Sequence, residues 1–75
     1  MKLPNKVITY NESIISKFPL VLNLLKTNNC SISVLYSKVK NKIESIDEFL
    51  DILDSLFALG RIDFNEETRR LYYVK

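Results

Sequence analysis

The 75-residue chain contains no histidine, no tryptophan, one cysteine, one glycine and two prolines. Each shortage closes a class of function. Without histidine the commonest general base is missing, and neither a Ser–His–Asp nor a Cys–His arrangement can be assembled. Cys30 has no second cysteine for an internal disulfide and no histidine with which to share a zinc ion. A lone cysteine of this kind reads as a small buried hydrophobe. One glycine cannot supply the two that a phosphate-binding G-x-x-x-x-G-K-[ST] loop requires. Asp47, Asp51 and Asp54 lie along one helix flank and read as a solvated face rather than as metal ligands. The expectation is a protein that is not an enzyme and has no cofactor, no metal and no small-molecule substrate.

Long apolar runs are missing too. The longest, Phe18 to Leu25, is interrupted by Pro19 and Asn23 and falls well short of the roughly 18 apolar residues needed to span a bilayer. The opening Met1-Lys2-Leu3-Pro4-Asn5-Lys6 has no apolar core of a signal peptide. With the unpaired cysteine, this predicts a cytoplasmic protein that does not contact membrane.

What is present is the composition of a globular chain, 47% apolar with a net charge of +2. The length predicts a single domain over residues 1–75. A domain this short buries only roughly 60–65% of the surface of its unfolded chain. Its expected stability is a few kcal/mol, and a partner chain is the natural source of more.

Residues 1–12 read as an extended arm, because Pro4 disfavours helix around Leu3 and Lys6–Tyr10 is rich in β-formers. A first helix is predicted over 14–27, capped by Ser13 or Ser16. Proline is tolerated in a first turn and breaks an interior, so Pro19 fits a cap at Ser16 and implies a kink if the cap is Ser13. A second helix, capped by Ser31 or Ser33, runs to about Lys42, with Ile32, Leu35, Tyr36, Val39 and Ile43 at helical spacing. Cys30-Ser31-Ile32 before it has room for a one-rung strand. The third helix starts at a Ser45-Ile46-Asp47-Glu48 capping box and stops at Gly60. Arg61–Phe64 and Arg69–Val74 then alternate around an Asn65–Thr68 turn. The predicted fold class is mainly α with a C-terminal β-hairpin, an α+β chain resembling a winged helix-turn-helix with three helices and a two-stranded wing.

That shape raises DNA binding, and the residues oppose its usual mode. The last helix of such a trio enters the major groove. Here it carries Asp47, Glu48, Asp51 and Asp54 and no Lys or Arg, the wrong sign for a polyanion. Asp47 and Glu48 sit in the first turn, where acids complement the helix dipole. Asp51 and Asp54 lie beyond it. The residues left for an alternative reading, a stand-alone winged-helix DNA-binding protein or small transcriptional regulator, are Lys38, Lys40, Lys42, Arg69 and Arg70. Otherwise they are solubilising charges.

Protein binding has a positive signal. With Ile46 at zero and about 100° per residue, Leu50, Leu53 and Phe57 cluster beside it. Ile52 and Leu59 fall beyond Leu56 and Phe49, and the apolar arc covers about half the circumference, wider than the roughly 100° of a surface helix. Unless the hairpin and arm cover them, Phe49, Ile52 and Leu59 are the expected outer face towards one partner, and Leu3 and Ile8 of the arm face another. Tyr72 points away from Leu71 and Tyr73, beside Arg70, which suits an interface core.

Two stretches carry a family resemblance. Leu3-Pro4-Asn5-Lys6, Ile8 and Ser13-Ile14-Ile15 resemble the opening of the small middle components of bacterial ABC-three-component systems. Ser45–Phe49 and Leu53-Asp54-Ser55-Leu56-Phe57-Ala58-Leu59-Gly60-Arg61-Ile62 resemble their last helix and hairpin entry. The chain departs from the pattern at Lys17-Phe18-Pro19, where small residues are expected. The resemblance implies an operon with an SMC/Rad50-like coiled-coil ATPase, this middle component and an effector that is often a nuclease, as in Lamassu anti-phage and anti-plasmid systems. It implies a non-catalytic adaptor between ATPase and effector, touching DNA through the complex if at all. Asp51 and Asp54 would then face a basic patch on a partner.

Overall fold

A computed structural model describes residues 9–75. Helix α1 (Tyr10–Ser16) begins where an extended arm was expected. The reason is a capping box at Thr9: its hydroxyl accepts the Glu12 N–H at 3.1 Å, and the Glu12 carboxylate accepts the Thr9 N–H at 3.0 Å. Residues 10–12, expected in the arm, are therefore helical, and neither Ser13 nor Ser16 caps the first helix.

The predicted first helix is fully broken, beyond the kink that a Ser13 cap would imply. Lys17 leaves the helical path at φ −99° and ψ 0°, and α2 (Phe18–Thr27) restarts directly after it. Pro19 occupies the first turn of α2, where its missing N–H costs no hydrogen bond. Val21, Leu22 and Leu25 of α2 are buried, as is Ile14 of α1. The two segments form one bent arm, the first of three helical arms.

Helix α3 (Ile32–Val39) is capped by Ser31, whose hydroxyl accepts the Val34 N–H at 3.2 Å. It buries Leu35 and Val39 and gives way to a 3₁₀ turn at Lys40–Lys42, so the α-helix stops earlier than expected. Helix α4 (Ile46–Ala58) is capped by Ser45, which accepts the Glu48 N–H at 3.1 Å. Only that half of the predicted capping box forms. The Glu48 carboxylate turns inward and takes the Glu44 N–H instead, at 2.8 Å.

Gly60 ends α4 at φ 72°. The Gly60 N–H reaches the Phe57 carbonyl at 3.0 Å and the Arg61 N–H reaches that of Leu56 at 2.9 Å, the two bonds of a Schellman stop. Strands β1 (Ile62–Asn65) and β2 (Arg70–Tyr73) pair antiparallel, with Ile62 opposite Tyr73 and Phe64 opposite Leu71. The Asn65 side chain holds the turn by accepting the Glu67 and Thr68 N–H groups. Cys30, buried, adds the one-rung third strand: the Leu71 N–H meets its carbonyl at 2.8 Å and its own N–H meets that of Leu71 at 3.3 Å.

Three helical arms and a two-stranded hairpin are a layout consistent with a winged helix. The buried side chains form one cluster drawn from α1 to α4 and both strands, including Phe49, Ile52 and Leu56 of α4, Leu35 of α3, Leu25 of α2 and Leu71 of β2. Tyr36 meets Phe49 edge-on with centroids 5.1 Å apart. Lys26 lies 5.1 Å above the Tyr73 ring and helps hold the hairpin on α2.

Candidate functional site

The orientation of α4 decides what the molecule presents, and a buried charge sets that orientation. Glu48 is 2% exposed. Its carboxylate receives the Lys17 ammonium at 2.8 Å, the Ser13 hydroxyl at 2.9 Å and the Glu44 N–H at 2.8 Å. Lys17, at the α1–α2 break, lies one turn after Ser13 and donates to its hydroxyl as well, at 3.2 Å. Burial pushes the Glu48 carboxyl up, but the Lys17 ammonium and the two hydrogen bonds outweigh it and hold the group below the usual carboxylate range.

With Glu48 turned inward, α4 buries Phe49, Ile52, Leu53 and Leu56. This corrects the expected outer face. Phe49 and Ile52 are core residues with no exposed surface, because the arc beside Glu48 faces the bent arm. Leu59, at the C-cap, remains outside at 61% exposure. The apolar residues that α4 does leave in water are Ile46 at 48%, Leu50 at 45% and Phe57 at 37%. They lie within about 40° of each other on the helix wheel, away from the expected outer face.

A signal in the sequence points to this phase. Asp47, Asp51 and Asp54 centre at about 107° from Ile46 on the wheel, so the opposite direction, about 287°, falls between Leu56 and Phe49. Reading the acids as the solvent pole finds the core that reading apolar density alone misplaces.

Asp54 and Asp47 are exposed beside the apolar stripe. Asp51 is exposed but engaged, since the Tyr10 hydroxyl donates to its carboxylate across to α1. That bond, with partial burial and the neighbouring acids, pushes the Tyr10 phenol up to about 12. Further along α4, Ile14, Ile15, Phe18, Ala58 and Leu59 line an apolar groove of about 400 Å³ between α1 and the helix end. Ile15 is more than half exposed there.

The hairpin side differs in character. Tyr72 is half-buried and sits opposite Asp63, on the strand face away from Leu71. The fold brings Lys38 of α3 together with Arg69 and Arg70 around a groove of about 520 Å³ that also takes in Asn28, Asn29 and Thr68 and no carboxylate. Lys40 and Lys42, on the 3₁₀ turn, are exposed and do not line it. Arg69 holds φ 60°, a left-handed backbone that favours glycine. Leu3 and Ile8 lie outside the described residues. Among the described residues no cluster of three or more Cys, Asp or Glu is placed to hold a metal ion. None of the described helices is long and apolar enough to cross a membrane.

The family model of the ABC-three component (ABC-3C) system Middle Component 7 matches residues 3–71 of the chain. Comparison with curated proteins and with solved structures gave no match.

Proposed function

The chain belongs to the Middle Component 7 family of ABC-three component systems, and from that membership we propose that it is the non-catalytic adaptor of its complex. In this reading it joins an SMC/Rad50-like ATPase to an effector subunit, often a nuclease, in a cytoplasmic, Lamassu-like defence against phage or plasmid. The observation that carries the reading is the outer face of α4. Ile46, Leu50 and Phe57, with Leu59 at the cap, leave large apolar side chains in water on a chain of 75 residues. A domain with so little interior gains from covering such a face with another chain.

The test is a phage- and plasmid-challenge assay on the intact operon. Leu50→Asp with Phe57→Asp is expected to abolish protection as completely as deleting the gene, with the other two subunits still produced. Full protection from that double variant would refute the reading.

A second reading, direct contact with nucleic acid, is favoured by one observation. Lys38, Arg69 and Arg70 share a groove free of carboxylates, and Arg69 keeps a backbone conformation in which glycine would be easier. Fluorescence anisotropy on a labelled duplex tests it. Binding that falls with salt and is lost in Lys38→Ala/Arg69→Ala/Arg70→Ala supports it. Anisotropy unchanged at low salt excludes it.

A further inference from the structure

Resting on the adaptor reading, we infer that the outer face of α4 takes an amphipathic segment of a partner subunit whose apolar stripe is bordered on one edge by Lys or Arg. Ile46, Leu50 and Phe57 form a stripe extending along about 16 Å of the helix axis, from the 1.5 Å rise per residue. One long edge of the stripe is closed by the molecule's own core at Leu53 and Phe49. The other is bordered by Asp54 and Asp47, at about 80° and 100° on the wheel. The face therefore has a hand: apolar along one side, anionic along the other.

Among the described residues no cation answers those two acids. The Lys17–Glu48 contact is the sole salt bridge among the described residues, and α4 has no Lys or Arg of its own. Asp47 has a local reason to be acidic, lying in the first turn near the positive end of the helix dipole. Asp54 lies more than two turns in, where that field has faded. Asp51, the third acid, already receives the Tyr10 hydroxyl. A wholly apolar partner would strip water from the rim beside Asp47 and Asp54 without replacing it. A second copy of this face would bring further carboxylates and no cation, because α4 has no Lys or Arg. A segment with cations on one edge satisfies the carboxylates and, because they line one side only, fixes the direction in which it lies.

Rim charges of this kind govern association rate and salt dependence, whereas buried apolar contacts govern dissociation. The experiment is biolayer interferometry with the full chain immobilised and each of the other two purified operon subunits as analyte. Asp54→Lys, Asp54→Asn, Leu50→Ala and Leu50→Asp are compared, and thermal unfolding establishes that each variant is folded. The expected result is that one subunit binds, that Asp54→Lys slows its association about tenfold at low salt, and that the difference closes at high salt. Asp54→Asn should fall between. Leu50→Ala should speed dissociation and leave association nearly unchanged.

If Leu50→Asp abolishes binding while Asp54→Lys associates like the native chain, the adaptor reading stands and the basic-edged partner is overturned. If neither subunit binds the native chain, the adaptor reading falls and takes this inference with it. A concentration-dependent dimer of the isolated chain that Leu50→Asp dissociates would assign the face to a second copy and overturn the inference.

Discussion

The Lys17 ammonium lies 2.8 Å from the buried Glu48 carboxylate, and this contact ties the break in the bent arm to the first turn of α4. It gives Lys17-Phe18-Pro19 a structural reason. Small residues there would leave Glu48 without a cation, and a proline two residues later is compatible with a helix that stops and restarts.

Removing one member of a buried pair strands the other charge. Lys17→Met is expected to cost about 3 kcal/mol, a large part of what a domain this size has to lose. Urea unfolding followed by circular dichroism measures it. The double variant Lys17→Met/Glu48→Gln removes both charges, keeps an acceptor for the Ser13 and Glu44 donors, and should recover more than half of the loss.

The same carboxylate gives the stability an acid limb. Its folded pKa lies below the ordinary glutamate value of 4.5, so the unfolded chain binds its proton more tightly. Its contribution is fully present above about pH 4.5 and is lost as pH falls through the folded value. The exposed Glu12 of the Thr9 capping box shifts in the same direction, held down by the Thr9 N–H. Urea midpoints from pH 7 to pH 3 should decline across that window. In Lys17→Met, burial is expected to dominate at Glu48 and reverse its share of the slope.

At alkaline pH the sign is opposite. The Tyr10 phenol is pushed up to about 12 by its bond to Asp51. Its contribution is present below the ordinary tyrosine value of 10.0 and is lost as pH rises through the folded value. Tyr10→Phe should remove this step from the pH titration of the midpoint and leave the acid limb unchanged.

Two positions share a left-handed backbone with opposite chemistry. Gly60 has φ 72° and open space where a Cβ would sit, so Gly60→Ala should cost about 1 kcal/mol through conformation alone. Arg69 has φ 60°, and Arg69→Gly should gain up to about 0.5 kcal/mol. Thermal unfolding of both variants tests the pair. A stabilised Arg69→Gly that also loses nucleic-acid binding would connect the strain at Arg69 to function.

Local chemistry made much of the fold legible. Ser45 and Gly60 mark the ends of α4, Pro19 marks the break before it, and Cys30 in its short link forms the single extra rung. These signals act within a few residues and do not depend on tertiary context. The rotation of α4 was harder to read, because Ile46, Leu50, Leu53 and Phe57 make as good an apolar stripe as Phe49, Ile52, Leu53 and Leu56. What chooses between them is Glu48, which turns inward because Lys17, 31 positions earlier, meets it there. A polar residue in a predicted cap position conceals that role. The grouping of Lys38 with Arg69 and Arg70 likewise depends on how the hairpin folds back beside α3, which periodicity along one element does not report.

The central claim is that α4 holds another subunit of the same system. The most direct measurement is co-expression of the tagged chain with the other two products of its operon, followed by affinity capture and size-exclusion chromatography with light scattering. The account predicts a complex of fixed stoichiometry containing the ATPase, retained by the native chain and lost with Leu50→Asp. A native chain that elutes as a free monomer, with the ATPase and effector purifying as a complex without it, would contradict the account.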